Sequence, residues 1–163
     1  MIQKWRFAGI WMLLFMGLIP CTGHSAGETK MEIPLSKGQT VYVPVYSHIY
    51  IGDKERPFYL TATLSFRNTD PKYAITLLTA DYHDSDGKLI NRYVEKPIQI
   101  TPRASTRFVV KESDMAGGSG AHFMVRWRSD QSVNLPIVES VMIGTQTQQG
   151  ISFTSRGQAV QDH

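Results

Sequence analysis

The sequence predicts an all-β domain, an immunoglobulin-like or fibronectin-like sandwich of about seven or eight antiparallel strands. Apolar residues alternate with polar ones in several short runs, as in Leu60, Ala62, Leu64 and Phe66. Strict alternation places one set of side chains on a buried face and the other toward solvent. Turn sequences separate these runs at short intervals, which favours a sandwich or barrel over alternating strands and helices.

The chain opens with a segment typical of a secretory signal peptide. Lys4 and Arg6 give a positive start, the run from Phe7 to Ile19 carries no charge, and small residues follow Pro20. This order of charge, apolar run and small residues is that of an export signal. The apolar run is shorter than the roughly 20 residues that a membrane span requires. We therefore predict a signal peptide over residues 1–26 and export to a bacterial envelope.

Cys21 is the single cysteine, and the sequence leaves two fates open for it. Cleavage after Ser25 or Ala26 would remove it and release a periplasmic protein. Alternatively, a lipoprotein signal ends before Cys21, although Pro20 occupies a position at which such signals usually carry a small residue. A lipid on Cys21 would then anchor the protein to a membrane, which is the only membrane contact we expect.

Composition argues against nucleic acid as a partner. The chain has 17 Lys and Arg against 14 Asp and Glu, and Lys4 and Arg6 lie in the predicted signal. The rest is nearly neutral and lacks the strong basic field on which nucleic-acid binding depends. The remaining length suits one domain with its own core. We assign residues 27–38 to a polar tether, residues 39–158 to the domain and residues 159–163 to a tail.

The first predicted strand differs from the others because it contains a proline. Val41, Val43 and Val45 supply its apolar positions, and Pro44 lies among them. Proline has no N–H to donate to a neighbouring strand, which favours a kinked or edge strand. An unpaired edge near Val41–Tyr46 would accept a strand from a partner. In chain order the predicted strands cover residues 39–46, 58–67, 73–83, 88–95, 104–111, 121–129, 136–144 and 150–155.

Two later features make specific predictions within this pattern. The turn sequence Asp84–Gly87 lies between two predicted strands, and an Asp-Gly pair tolerates the positive φ of a tight hairpin. Farther along, Phe123, Val125 and Trp127 occupy alternate positions of one strand. We therefore expect Trp127 to pack in the core.

Several stretches of the chain resemble a known bacterial family. They are GQTVYVPVYSHIYIGDKERPFYLTATLSFRNTD, TADYHDSDGKLI, GGSGAHFMVRW and, close to the C-terminus, GTQTQQGISFTSRGQ. Together they resemble the exported proteins catalogued as domain of unknown function 3124, over about Gly38 to Gln158. The resemblance implies an exported protein, and it brings no reaction, ligand or site residue with it.

A cation site is one candidate function. Four residues of a single stretch offer oxygen and nitrogen ligands: Asp81, His83, Asp84 and Asp86. An EF-hand does not fit, because two of its ligand positions hold tyrosine. The alternative is a hairpin turn whose aspartates accept nearby backbone N–H groups. His48, His83 and His122 also lack the paired spacing typical of a zinc site, and we predict no cofactor.

A tyrosine row is the second candidate. Tyr42, Tyr46 and Tyr50 recur every four residues, so an unbroken strand would present all three on one face. Such a row would stack on the sugar rings of a glycan or contact a protein partner. The alternative is that the tyrosines pack under a loop or a neighbouring strand.

Catalysis has the weakest support in the sequence. Ser119 lies in a Gly-rich stretch, yet a nucleophile elbow requires glycine where Ala121 stands and a helix where a strand is predicted. No phosphate-binding loop, dinucleotide fingerprint or paired-carboxylate set occurs in a supporting context. We therefore predict a non-catalytic binding or assembly module whose partner is an envelope protein or glycan. A small-ligand or metal carrier using Asp81–Asp86 ranks second, and a hydrolase last.

Overall fold

The computed structural model describes residues 33–145 and 150–161, and every regular element within these ranges is a β-strand. The predicted signal peptide and Cys21 lie outside the described residues. Within them, no helix could span a membrane. The strands are β1 (Leu35–Pro44), β2 (His48–Ile51), β3 (Arg56–Tyr59), β4 (Thr61–Arg67), β5 (Ile75–His83), β6 (Leu89–Arg92), β7 (Ile98–Ile100), β8 (Ser105–Val110), β9 (His122–Asn134), β10 (Ile137–Gly144), β11 (Ile151–Arg156) and β12 (Gln158–Val160).

The strands form an open sandwich of antiparallel sheets. A six-stranded sheet has the order β12–β1–β9–β5–β6, and β7 also pairs with β5. A four-stranded sheet has the order β11–β10–β4–β8, and β2 pairs with β3 as a separate hairpin. The predicted all-β sandwich is therefore confirmed, although it contains more strands than the sequence pattern indicates.

One apolar core collects the inward-facing positions of the sheets. Leu64 and Phe66 of β4 are buried in it together with Phe123 and Val125 of β9. Trp127 is only 2% exposed, which confirms its predicted place in the core. Burying one such large side chain stabilises the fold by roughly 1.5–3 kcal/mol. If the pairing of a strand shifted by one residue, all of its apolar side chains would turn toward solvent. The buried positions therefore determine the pairing register of the strands.

The prediction that β1 is an open edge strand is wrong. Thr40–Tyr42 pair with Gln158–Val160 of β12 on one side, and β9 pairs along the other side of β1. Pro44 is the last residue of the strand, and its carbonyl oxygen accepts a hydrogen bond from the Ser140 hydroxyl. The chain therefore covers with its own strand the Val41–Tyr42 part of the edge at which we expected a partner strand.

The remaining differences from prediction lie at strand ends and in three short strands that the pattern does not predict, β2, β7 and β12. The stretch predicted as one strand over residues 58–67 is divided between β3 and β4 at Leu60, whose N–H donates to the Ser47 carbonyl. β1 begins at Leu35, inside the stretch assigned to the tether. All three residues of β12 are exposed, so no apolar alternation marks this strand in the sequence.

Candidate functional site

Three partly buried aromatic rings stack face to face on the outer face of the six-stranded sheet. Tyr42 of β1, His122 of β9 and His83 of β5 form this group, which we call the ring column. The Tyr42 and His122 ring centroids are 4.5 Å apart with an interplanar angle of 22°. The His122 and His83 centroids are 5.1 Å apart, and their planes differ by only 7°. In the β5–β9 ladder, His83 and His122 lie directly opposite each other.

The alternation of the strands places these rings on the outer face. Their chain neighbours Val43, Tyr82 and Phe123 are fully buried in the core, so the residues beside them point outward. Because the three rings contact each other through their faces, they present mainly their edges to a ligand. The polar edge atoms of the tyrosine and the two imidazoles are therefore the groups available for recognition.

Backbone carbonyls orient both imidazoles of the ring column. The Nδ1 atom of His83 lies 3.2 Å from the carbonyl oxygen of Asp81, and Nδ1 is the donor because a carbonyl can only accept. The ring of His122 likewise bonds the backbone of Gly120. In its neutral form, an imidazole held in this way uses one nitrogen as a donor and keeps a lone pair on the other.

The surroundings of His122 favour its neutral form. Burial is the main cause that lowers its pKa below the usual 6.5, and the neighbouring His83 lowers it further. The Gly120 carbonyl and the Asp84 carboxylate act in the opposite direction but do not reverse the shift. His122 is therefore largely uncharged near neutral pH.

The turn Asp84–Gly87 joins β5 to β6 beside the ring column, as the sequence predicts. Asp84 Oδ1 accepts the backbone N–H groups of Asp86 at 3.0 Å and Lys88 at 2.8 Å. Gly87 has a φ of 81°, which explains why the turn requires a residue without a Cβ. The aspartate thus makes the backbone bonds that we considered as the alternative to a cation site.

The Gly-rich loop before β9 is held in place by two serines. Ser85 donates its N–H and its hydroxyl to the Gly117 carbonyl, and its hydroxyl oxygen accepts the N–H of Gly120. Ser47 donates its N–H and its hydroxyl to the Gly118 carbonyl, each at 3.1 Å. The loop leads into a strand, so Ser119 does not occupy a strand-to-helix elbow.

The four residues of the predicted cation site do not converge. Within the described ranges, no group of three or more His, Cys, Asp or Glu side chains is arranged to hold a metal ion. Asp84 is engaged in its turn, and Asp86 is exposed. Asp81 Oδ1 is buried and accepts no hydrogen bond from the described residues. His83 is instead paired with His122, which lies 39 positions later in the numbering.

The three tyrosines do not form one row, because β1 ends at Pro44. Tyr42 belongs to the ring column. Tyr46 packs edge-on against Phe153, with ring centroids 5.6 Å apart. Tyr50 lies on β2 next to His48 and is 54% exposed. Even spacing predicts a common face only along an unbroken strand.

The sequence pattern did not predict a groove of about 400 Å³ that lies on the outer face of the four-stranded sheet. It is lined by Thr63, Ser65, Arg67, Ser105, Thr106, Arg107 and Val141. Ser65 lies opposite Arg107 and Arg67 opposite Ser105, so the two arginines hold diagonal positions on adjacent strands. We call this feature the Arg67–Arg107 groove. The sequence does show hydroxyl residues and an arginine at alternate positions of β4, and this pattern could have indicated the groove. Arg107 joins these residues only because β8 pairs with β4.

Two side chains orient the guanidinium of Arg67. Its Nε donates to Ser65 Oγ at 3.1 Å, and it lies 3.7 Å from Glu139 Oε1 on β10. Glu139 is also opposite Ser65 in the β4–β10 ladder. The face therefore carries two guanidinium groups and one carboxylate around a set of hydroxyls.

Comparison with known proteins identifies a family but no activity. The model of the family described as "Protein of unknown function (DUF3124)" matches residues 38–160. No curated protein matches the chain. The chain is similar to a solved structure described as "Crystal Structure of Thermotoga maritima 1070", with 12% identity and a TM-score of 0.42. That likeness covers 74% of this chain and 92% of the other, and at this score it supports no conclusion about function.

Proposed function

The chain belongs to the DUF3124 family, and from this premise we propose that it is a binding module of the bacterial envelope. We further propose that its ligand is a glycan bearing carboxylate or phosphate groups, bound at the Arg67–Arg107 groove. The observation that carries the proposal is the placement of two guanidiniums among hydroxyls on one sheet face.

The chemistry of the groove matches such a ligand. A guanidinium presents a planar fork of N–H donors that fits carboxylate and phosphate oxygens, and charge assistance makes these hydrogen bonds strong. The hydroxyls of Thr63, Ser65 and Ser105 both donate and accept, as the hydroxyl groups of a sugar require. An acidic sugar chain supplies both kinds of group along one extended molecule.

The support given to Arg67 also favours binding. Its contacts with Ser65 and Glu139 restrict the guanidinium before a ligand arrives. A preoriented side chain loses less conformational entropy on binding. Arg107 on the neighbouring strand adds a second positive group, so the face keeps a net attraction for an anion despite Glu139.

Binding measurements with matched glycans test the proposal. We expect uronic-acid oligosaccharides to bind by isothermal titration calorimetry and neutral oligosaccharides of equal length not to bind. Replacing both arginines (Arg67→Gln and Arg107→Gln) should weaken binding at least tenfold, since two charge-assisted contacts are lost. Arg128→Gln, on the outer face of the other sheet, is the control and should bind as the parent does. Equal binding of neutral and acidic sugars, or an equal loss in the control, would contradict the proposal.

Export is part of the same proposal and has a separate test. The N-terminal order of charge, apolar run and small residues supports it. The intact mass of the protein from membrane and soluble envelope fractions distinguishes the two fates of Cys21. A chain that starts at Cys21 with added acyl mass would be anchored, whereas one that starts at Ala26 or Gly27 would be diffusible. An uncleaved chain in the cytoplasm would contradict export.

A further inference from the structure

We propose that His83 and His122 form a two-imidazole site for a divalent transition-metal ion of the Zn²⁺ and Cu²⁺ class. The two residues lie directly opposite each other on β5 and β9, with parallel rings whose centroids are 5.1 Å apart. The site is on the outer face of the six-stranded sheet, whereas the Arg67–Arg107 groove is on the other sheet. The inference therefore does not depend on the proposed function.

The hydrogen bonds of the two rings carry the argument. Histidines that bind metals usually donate their second ring N–H to a carbonyl or carboxylate, which sets the tautomer and the ring orientation. His83 makes this bond to the Asp81 carbonyl at 3.2 Å, and His122 bonds the backbone of Gly120. In its neutral form, each ring therefore keeps one nitrogen lone pair for a ligand. Two such rings on neighbouring strands supply two nitrogen ligands without any change in the backbone.

The spacing of the rings suits a shared ion after a small side-chain movement. Metal–nitrogen bonds measure about 2.0–2.1 Å, so two nitrogens on one ion lie roughly 3–4 Å apart. Rings stacked at 5.1 Å must tilt toward each other to reach this distance. The terminal torsion of histidine has a broad energy minimum, and both side chains are partly exposed, so the tilt costs little. Water would complete the coordination shell.

The surroundings favour a cation of this class. The carboxylate of Asp84 acts electrostatically on the His122 ring and so attracts positive charge to the site. Tyr42 packs on the ring of His122. Imidazole nitrogen prefers Zn²⁺, Cu²⁺ and Ni²⁺, whereas Ca²⁺ and Mg²⁺ prefer sets of oxygen ligands.

Equilibrium dialysis of the tag-free full chain against Zn²⁺ and, separately, Cu²⁺ tests the site. We expect the parent protein to retain one more metal ion than His83→Asn or His122→Asn. His48→Asn is the matched control, because the His48 ring packs against Tyr50 and Tyr59. Ca²⁺ and Mg²⁺ should give no retained ion at this site. Equal metal retention by the parent and all three variants would overturn the proposal.

A measurement on the unsubstituted protein covers the case in which a variant fails to fold. Nuclear magnetic resonance of ¹⁵N-labelled imidazoles reports each ring during a Zn²⁺ titration. We expect the His83 and His122 signals to shift together while the His48 signals stay constant. If the chain binds Zn²⁺ and the two signals do not move, the ion occupies another site and the proposal is wrong.

Discussion

The phenolic oxygen of Tyr82 lies against the α-carbon of Gly117, so closely that a Cβ at position 117 would overlap it. Tyr82 is fully buried, and its hydroxyl has no hydrogen-bond partner among the described residues. Burial, as the main cause, raises the pKa of this hydroxyl, so Tyr82 stays uncharged at physiological pH. Packing under the loop, rather than a positive φ, therefore makes glycine necessary at position 117.

We expect Gly117→Ala to destabilise the fold. The added methyl group would also lie 2.7 Å from the Tyr82 Cζ atom and 2.9 Å from the Ala121 Cβ atom. Overpacking of this kind typically costs about 1–3 kcal/mol in the free energy of unfolding. Urea denaturation of the parent and the variant measures the loss.

Tyr82→Phe should leave stability unchanged or raise it. The hydroxyl that it removes is buried without a partner, and burying such a group is unfavourable. In the double variant with Gly117→Ala, part of the alanine penalty should disappear because the overlapping oxygen is gone. The same urea experiment completes the cycle, and purely additive effects would contradict the packing relationship.

Asn68→Ala should also destabilise the domain. The two N–H groups of the Asn68 side-chain amide are shared among three carbonyl oxygens within 3.1 Å, those of Tyr73 after β4, Ile100 at the end of β7 and Thr101 just after it. Alanine would leave these carbonyls without that donor, and one unsatisfied buried group costs about 1–3 kcal/mol. Thermal unfolding measures the effect, with Gln131→Ala on the exposed part of β9 as the control. Equal midpoints for the two variants would contradict this assignment.

Asp70 should make stability depend on pH in the acid range. Its carboxylate accepts the N–H groups of Tyr73, Lys72 and Asn134, in that order of effect, and these bonds lower its pKa below 3.8. A carboxyl whose pKa is lower in the folded state stabilises the fold above its unfolded pKa. This contribution is lost as the pH falls through the folded pKa.

Comparison of the parent with Asp70→Asn checks the predicted loss of stability at acid pH. The parent should be clearly more stable near neutral pH. Asp70 accepts N–H groups with both carboxylate oxygens, whereas an asparagine side chain has only one oxygen that can accept. The difference in unfolding midpoint should shrink as the pH falls below 3.8. A difference that stays constant over the acid range would show that the charge of Asp70 has no part in it.

Removing residues 158–163 should increase self-association. The deletion uncovers the hydrogen-bonding edge of Thr40–Tyr42, which β12 otherwise pairs. Unpaired edges readily accept a strand from another molecule. Sedimentation velocity over a range of concentrations compares the truncated chain with the full chain. Identical sedimentation behaviour would mean that β12 is not required to protect this edge.

Features that depend on near neighbours in the chain were predictable. The alternation of Phe123, Val125 and Trp127 identifies the inward face of β9, and Asp84–Gly87 identifies the hairpin. The predicted tyrosine row does not form, because the end of β1 at Pro44 separates its members and even spacing does not reveal that break. The cation site predicted over Asp81–Asp86 includes His83, whereas the ring that stacks on His83 is that of His122, across the sheet.

Alternation and turn chemistry are local properties of the covalent chain, so residue order indicates which side chains point inward along an unbroken strand with a clear pattern, such as β9. Strand order is different, because it depends on how the whole core packs. Folding places β12 beside β1, His122 opposite His83, and Arg107 diagonal to Arg67. These contacts join residues far apart in the chain, and no periodicity within one strand encodes them. Both proposed binding surfaces arise from such pairings.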